Sequence, residues 1–245
     1  MSDISWYACA IQHINEKFKS MAKLFFVGDS ITAGAWDENG GWANRLIGEI
    51  MSETMTAGFS ETGFYCLPYN LGVSGDTVAD ILPRLKNEMR ARLDPDNPNE
   101  AVELVFSIGV NDSVHMVSEN RPRFTDQEFE QNLKEMIILS KTLAQRISFL
   151  GMAPVDDDLL NPIPWAPEKA YTCEHVQRFE NIIQSVCQEY DLQFLPLFKT
   201  WLSMPDWKDH LIDGVHPNSK GHAFLANKIG AFIMTDEFRK FHTSA

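Results

Sequence analysis

A serine, an aspartate and a histidine stand in two short motifs at opposite ends of this chain. Ser30 lies in FFVGDSITAG, directly after an apolar run, and Asp213 and His216 lie three residues apart in LIDGVHPNSKGH. A nucleophilic serine needs a base within hydrogen-bond reach and a carboxylate that orients the base. In one tight turn, this spacing can set the carboxylate against the imidazole Nδ1 while Nε2 faces outward. The two motifs could therefore supply nucleophilic catalysis at an acyl carbon.

Acyl transfer also requires hydrogen-bond donors for the negative oxygen that forms when the serine attacks. Three candidates follow three different apolar runs: the backbone N–H of Ser30, the backbone N–H of Gly75 in GVSGDT, and the side-chain amide of Asn111 in GVNDS. At Gly75 the missing Cβ permits close approach. We predict that these three residues form an oxyanion hole.

Other functions for the glycine-flanked serine fit the sequence less well. A phosphate-binding P-loop needs a lysine after its last glycine, whereas Gly34 is followed by Ala35 and Trp36. A dinucleotide-binding G-x-G-x-x-G is missing. The elbow G-x-S-x-G of other hydrolases has a near match around Ser74, but its last position is Asp76. A lone Gly-Asp-Ser is usually only a turn with a helix cap.

A metal site is the main alternative for the histidines. Four possible ligands fall within thirteen residues: His210, Asp213, His216 and His222. No H-E-x-x-H or other strong ligand spacing accompanies them, and a metal would leave Ser30 and Asn111 unexplained. We therefore expect neither a metal nor a cofactor.

Short apolar runs alternate with segments of helical period, which is typical of βα units and a parallel sheet. The predicted strands are 23–28, 66–72, 101–109, 146–152 and 192–197, and the predicted helices are 42–53, 78–92, 126–145, 174–190 and 220–234. This pattern favours an α/β protein with a three-layer α/β/α sandwich, flavodoxin-like topology and a mainly parallel five-stranded sheet. Ligands bind beyond the carboxyl ends of such strands, so GDSITAG, GVSGDT and GVNDS should reach one rim. Pro68 suggests that the second strand lies at an edge or has an irregular entry.

The motifs GDSI, SGDT, GVND and DGVH resemble those of the SGNH (GDSL-type) serine esterases and lipases, in the same order along the chain. The residues that match the family's markers are Ser30, Gly75, Asn111 and His216, with Asp213 as the third member of the triad. Ile31 replaces the leucine that gives the family its name, an apolar exchange. The resemblance implies a flavodoxin-like sandwich, a mechanism without metal, and hydrolysis of esters or thioesters.

The resemblance also implies double displacement through an acyl-enzyme on a small-molecule ester. Carboxylic esters, sugar acetyl esters, lysophospholipids and thioesters all remain open as substrates. An acyltransferase or a catalytically silent binding protein on the same fold is the alternative function. A long, proline-rich segment, 153–172, should rise beside the strand rim and is a candidate cover. Candidate pocket residues are Trp36, Trp42, Met116 and Trp165.

Composition and charge limit the kinds of partner and location that are expected for this protein. The chain has 245 residues, 44% of them hydrophobic, and a net charge of −13 without a basic run, which argues against nucleic acid and anionic membrane surfaces. The four cysteines are far apart and never form C-x-x-C, so neither a zinc knuckle nor a thioredoxin-type redox pair is indicated. No apolar stretch is long enough to span a bilayer, and the N-terminus lacks a signal-peptide pattern. We expect a cytoplasmic protein without integral membrane association, and nothing in the sequence indicates its oligomeric state.

The expected organisation is one hydrolase domain, residues 21–238, followed by a C-terminal tail, 239–245. Residues 1–20 form an N-terminal extension, because Met21 would itself make a natural start just ahead of the first strand. Alternatively, this segment is a short packed helix with apolar residues at roughly helical spacing: Trp6, Ala10, Ile14 and Phe18.

Overall fold

The computed structural model describes residues 22–57, 64–97 and 100–243. The predictions for residues 1–20 lie outside these ranges. The described strands are β1 (Ala22–Gly28), β2 (Cys66–Gly72), β3 (Val102–Ser107), β4 (His115–Met116), β5 (Arg121–Pro122), β6 (Arg146–Leu150), β7 (Lys169–Ala170) and β8 (Gln193–Leu195). The described α-helices are α1 (Ser30–Ala33), α2 (Gly41–Ala57), α3 (Val78–Arg90), α4 (Asp126–Lys141), α5 (Asp157–Leu160), α6 (Cys173–Glu189), α7 (Phe198–Leu202), α8 (Ser219–Ile233) and α9 (Asp236–Phe241).

The central sheet has five parallel strands in the order β2-β1-β3-β6-β8. This order is that of flavodoxin-like folds. Helices α2 and α8 pack together in one layer, and α3, α4 and α6 form a connected second layer. The predicted fold class, an α/β/α sandwich around a parallel sheet, is therefore confirmed.

Strand β1 lies between β2 and β3, and the serine motif begins at its last residue, Gly28. All seven of its residues are buried, because β2 and β3 flank it and helices cover both faces. Strand β2 lies at the sheet edge, as Pro68 predicted, and several of its residues are partly exposed. In the register of the sheet, Gly28 pairs with Gly72 on one side and with Ser107 on the other. The last residues of β1, β2 and β3 therefore end at one level.

The helix predicted over 126–145 ends four residues early, at Lys141. It begins where the sequence predicted, because Thr125 and Glu128 form a reciprocal capping box. The helix ends early because Gln145 is hydrogen-bonded to strand β3. The Gln145 backbone N–H donates to the Val102 carbonyl, and the Gln145 side chain accepts from the Val102 N–H.

Beside the main sheet, β5, β4 and β7 form a small antiparallel sheet that the sequence did not predict. Its strands have two residues each, too few for an alternating pattern to appear. It joins the segment after Asn111 to the long segment after β6. At the other end of the chain, residues 239–243, assigned to a tail by sequence, include the last turn of α9 and the buried His242.

Candidate active site

Ser30 is held at the end of β1 by a tight strand-to-helix turn. The Asp29 carboxylate caps α1 by accepting a hydrogen bond from the Ile31 N–H at 2.9 Å, and Ser30 is the first residue of that helix. Gly28 is required just before it, because a Cβ there would collide with the Ser107 carbonyl oxygen and the Thr32 side chain. The turn fixes the serine side chain and leaves its backbone N–H, at the helix start, outside the helical hydrogen-bond ladder.

The Ser30 hydroxyl begins a continuous series of hydrogen bonds. Its Oγ lies 2.8 Å from His216 Nε2, and His216 Nδ1 lies 2.7 Å from Asp213 Oδ2. The other carboxylate oxygen of Asp213 accepts the backbone N–H groups of Val215 and His216, at 3.1 and 2.8 Å. Burial alone would raise the pKa of Asp213, but the hydrogen bonds from His216 lower it below its ordinary value. Asp213 is therefore an ionised carboxylate that orients the imidazole.

The turn that carries Asp213 and His216 is fixed at both ends. The Ile212 N–H donates to the His216 carbonyl at 2.9 Å, and Leu211 bridges to Pro217. Gly214 has a φ of +90°, which favours glycine, and its carbonyl accepts the Asp156 N–H at 2.8 Å. The histidine turn is thus tied to the segment after β6.

The structure defines two side-chain hydrogen bonds of Asn111. Its Nδ2 donates to the Asp76 carbonyl at 3.0 Å, and its Oδ1 accepts from the Tyr171 hydroxyl at 2.9 Å. An amide nitrogen has two N–H groups, so one remains beyond the bond to Asp76. Gly75, next to Asp76, has a φ of +87°, and a Cβ there would meet nothing within 4 Å. The backbone conformation, more than the lack of space, requires glycine at this position.

These residues surround one cleft of about 350 Å³. It is lined by Ser30, Ala35, Trp36, Ser74, Gly75, Val110, Asn111, Tyr171, Val215 and His216. The structure therefore brings the serine, histidine and oxyanion candidates together, with Asp213 behind the imidazole.

The four candidate pocket residues lie in different places. Trp36 lines the cleft and is 67% exposed. Trp42 belongs to the hydrophobic core instead, because its ring packs edge-on against Phe26 of β1 at 5.2 Å and is fully buried. Met116, in β4, and Trp165, which is 61% exposed, do not line the cleft.

Two supporting residues were missed by the sequence. Tyr171 reaches the site from the end of the long segment after β6, where its own N–H donates to the Leu160 carbonyl. Arg84 of α3 donates to the Asp76 carboxylate at 2.7 Å and to the carbonyl of Leu71 at the end of β2 at 3.0 Å. Arg84 thereby connects the Gly75 turn to the sheet. Neither residue stands in a motif, so no local pattern distinguishes it.

Two buried carboxyl groups lie beneath the cleft. Burial raises the pKa of Asp29 to about 6, although the Ile31 N–H opposes the shift. Burial likewise raises the pKa of Asp112 to about 7, and one of its oxygens accepts the N–H of Val78 at the start of α3. Asp112 thus fastens the asparagine turn to α3.

The histidines of the metal alternative do not converge. The Nδ1 of His222 accepts the backbone N–H of Trp42 at 3.2 Å, and the Nδ1 of His210 lies 3.2 Å from the Asp206 carbonyl. Within the described ranges, no three His, Cys, Asp or Glu side chains are grouped so that they could hold a metal. None of the helices in those ranges is long and apolar enough to cross a membrane.

A flavodoxin-like sandwich that carries a serine beside a histidine–aspartate pair at its strand ends is the arrangement of one class of ester hydrolases. The chain belongs to the GDSL-like lipase/acylhydrolase family, whose model matches residues 26–224. The resemblance seen in the four motifs is thus confirmed, and the protein is a hydrolase of ester bonds.

The chain is similar to the GDSL esterase/lipase CPRD49 of Arabidopsis thaliana, with 26% identity over 84% of this chain and 77% of the plant protein. Its fold is similar to that of a lipase/acylhydrolase from Enterococcus faecalis, with a TM-score of 0.63, 24% identity, and coverage of 87% of this chain and 95% of that one. The acetylxylan esterase Axe2 from Geobacillus stearothermophilus gives a TM-score of 0.63 at 18% identity, with the same coverage.

Proposed function

We propose that this protein is a serine esterase that works through an acyl-enzyme on Ser30. The observation that carries the proposal is the unbroken hydrogen-bond series from Ser30 Oγ through His216 to Asp213, which opens into a cleft. A catalytically silent binding protein would not need this series. The intact series therefore favours catalysis.

In the proposed acylation step, Ser30 Oγ attacks the ester carbonyl carbon and His216 Nε2 takes the serine proton. The carbonyl oxygen becomes an oxyanion, which the N–H groups of Ser30 and Gly75 and the remaining N–H of Asn111 stabilise. The bond to the alcohol oxygen then breaks, and His216 returns the proton to that oxygen. The products of this step are a free alcohol and acyl-Ser30.

Deacylation repeats the sequence with water as the nucleophile. His216 takes a proton from water, the hydroxide attacks the acyl carbon, and the proton passes to Ser30 Oγ as it leaves. Asp213 stays ionised throughout and stabilises the imidazolium. If another alcohol replaced water in this step, the same residues would catalyse acyl transfer.

Short acyl groups are the substrate class that we propose first. A cleft of about 350 Å³ lies at the lower end of the range of small-molecule sites, and it must hold both halves of the ester. Similarity to acetylxylan esterases supports acetyl esters of sugars within this class. Lysophospholipids and thioesters are the alternative substrate classes.

A panel of nitrophenyl esters of increasing acyl length tests the mechanism and the acyl preference together. The parent protein should prefer the shortest acyl groups, and its intact mass should rise by the acyl mass when the reaction is quenched early. Ser30→Ala should lose both signals. Ser74→Ala is the matched control, because Ser74 lines the same cleft outside the hydrogen-bond series, and it should still form the acyl-enzyme.

Retained hydrolysis by Ser30→Ala would contradict the mechanism, and a preference for long chains would contradict the substrate class. Adding a second alcohol separates the two fates of the acyl group. Free acid as the main product supports a hydrolase, whereas the new ester as the main product would indicate an acyltransferase.

A further inference from the structure

Trp36 combines three features that core packing does not explain. Its side chain is 67% exposed, it lines the cleft, and its backbone φ is +64°. A bulky residue in this left-handed region is a genuine outlier, and such residues concentrate at functional sites. Trp36 therefore needs an explanation outside the core.

The turn that presents Trp36 is built on the helix of the nucleophile. The N–H groups of Gly34 and Ala35 both donate to the Ser30 carbonyl, at 3.0 and 2.9 Å. On the other side of Trp36, the buried Asp37 carboxylate accepts the Gly41 N–H at 3.0 Å and the Arg45 guanidinium at 2.9 Å. The backbone at Trp36 is thus held relative to Ser30 by hydrogen bonds of the residues on both of its flanks.

Trp36 lies next to the residue that protonates the leaving alcohol in the proposed mechanism. Its ring lies edge-on to the His216 imidazole, with ring centroids 6.3 Å apart. In the proposed mechanism the leaving alcohol receives its proton from His216, so it must depart on the imidazole side. Gly75 and Asn111 hold the oxyanion. The contact with His216 therefore puts Trp36 on the side of the leaving alcohol in the proposed mechanism.

We propose that Trp36 is a binding platform for the alcohol half of the substrate, and that this alcohol contains a ring with a flat apolar face. A sugar ring and an aryl ring share this chemistry, and an exposed indole offers a large rigid surface against which either can stack. An open-chain alcohol would cover little of this surface. The inference rests on the proposed function and adds the class of alcohol to it.

The test uses three esters that share one acetyl group: an acetylated pyranoside, phenyl acetate and ethyl acetate. The readout is the ratio of kcat/KM for each ring ester to kcat/KM for ethyl acetate. Trp36→Ala should lower this ratio roughly 10-fold, the size of a lost aromatic contact. Trp36→Phe, which keeps a flat ring, should recover most of it. Trp165→Ala is the matched control, because Trp165 is similarly exposed but does not line the cleft, and it should keep the parent ratio.

If the ratio falls for only one of the two ring esters, the result supports the platform and identifies the ring that it binds, a sugar or an aryl group. An unchanged ratio in Trp36→Ala, or equal losses on all three esters, would overturn the proposal. These outcomes are separate from a failure of the serine mechanism, which would appear as activity in Ser30→Ala. The quotient of two substrates also cancels any general damage to folding in the variant.

Discussion

The Tyr171 hydroxyl donates a hydrogen bond to Oδ1 of Asn111 over 2.9 Å, and this contact decides how the asparagine faces the cleft. With Oδ1 occupied by Tyr171 and one Nδ2 hydrogen directed at the Asp76 carbonyl, the second hydrogen is the one left for a substrate oxygen. Burial raises the pKa of Tyr171 far above its ordinary value, so the hydroxyl keeps its proton and remains a donor. Tyr171 is therefore a positioning residue in the proposed mechanism.

Tyr171→Phe should lower kcat by roughly 2- to 10-fold, the equivalent of one lost hydrogen bond, with KM little changed. The aromatic ring stays, but the Asn111 amide loses the bond that fixes its orientation. Steady-state kinetics on a short-chain ester measure the effect. Tyr69→Phe is the control, because the Tyr69 ring stacks on Phe25 away from the cleft. An equal fall in both variants would contradict a specific role for Tyr171.

Asn111→Ala should lower kcat by about 10²- to 10³-fold, as expected for loss of an oxyanion donor. In this background, adding Tyr171→Phe should have no further effect, because Tyr171 is proposed to act through Asn111. The four proteins of this double-mutant cycle are compared under saturating substrate. Multiplicative losses in the double variant would show that Tyr171 acts elsewhere, and an effect of Asn111→Ala on KM alone would contradict the oxyanion role.

Asp213→Asn should lower turnover by up to ~10⁴-fold, the loss seen for the corresponding change in the serine-protease template. The new amide would face His216 Nδ1 with a nitrogen or with a neutral oxygen, and in either case the carboxylate that stabilises the imidazolium is gone. With the nitrogen toward the imidazole, the asparagine oxygen can still accept the backbone N–H groups of Val215 and His216, so the turn should persist. Thermal unfolding checks that it does. A near-normal rate in a folded variant would mean that another group orients His216.

The site residues that come just after a strand could be predicted from the sequence. Ser30, Gly75 and Asn111 each come just after one of the three strands β1, β2 and β3, and parallel strands in register bring their carboxyl ends to one rim. The pair Asp213 and His216 was recognisable because the two residues interact within one turn. Short spacing along the chain and the direction of the strands were therefore sufficient to group these five residues.

Contacts that depend on side-chain packing between distant segments could not be predicted. Tyr171 reaches Asn111 from 60 residues away, through a small sheet whose two-residue strands leave no periodic signal. Trp42 follows the serine motif closely, but packing against Phe26 places it in the core and not in the cleft. Trp36, in contrast, lies in a left-handed turn that leaves its side chain exposed at the cleft.

Glu103 provides a prediction about stability at the opposite end of β3. Its side chain is buried, with one oxygen 3.5 Å from Arg146 Nε and the other 3.7 Å from His242 Nε2. Burial raises its pKa from 4.5 to about 7, although Arg146 opposes the shift. Because the folded-state pKa is the higher one, the contribution of Glu103 to stability is complete below about pH 4.5 and is lost as the pH rises through 7.

Glu103→Gln removes this titration, so the free energy of unfolding of the variant, relative to the parent, should rise between pH 5 and pH 8 by up to about 3 kcal/mol. Burial lowers the pKa of His242 to about 4, which makes stability fall toward acid, but this titration lies below the range from pH 5 to pH 8 in which the two proteins are compared. Urea unfolding at several pH values measures the effect. Glu49→Gln, the same change at an exposed helix position, is the matched control. Parallel pH profiles for Glu103→Gln and the parent would contradict the raised pKa of Glu103.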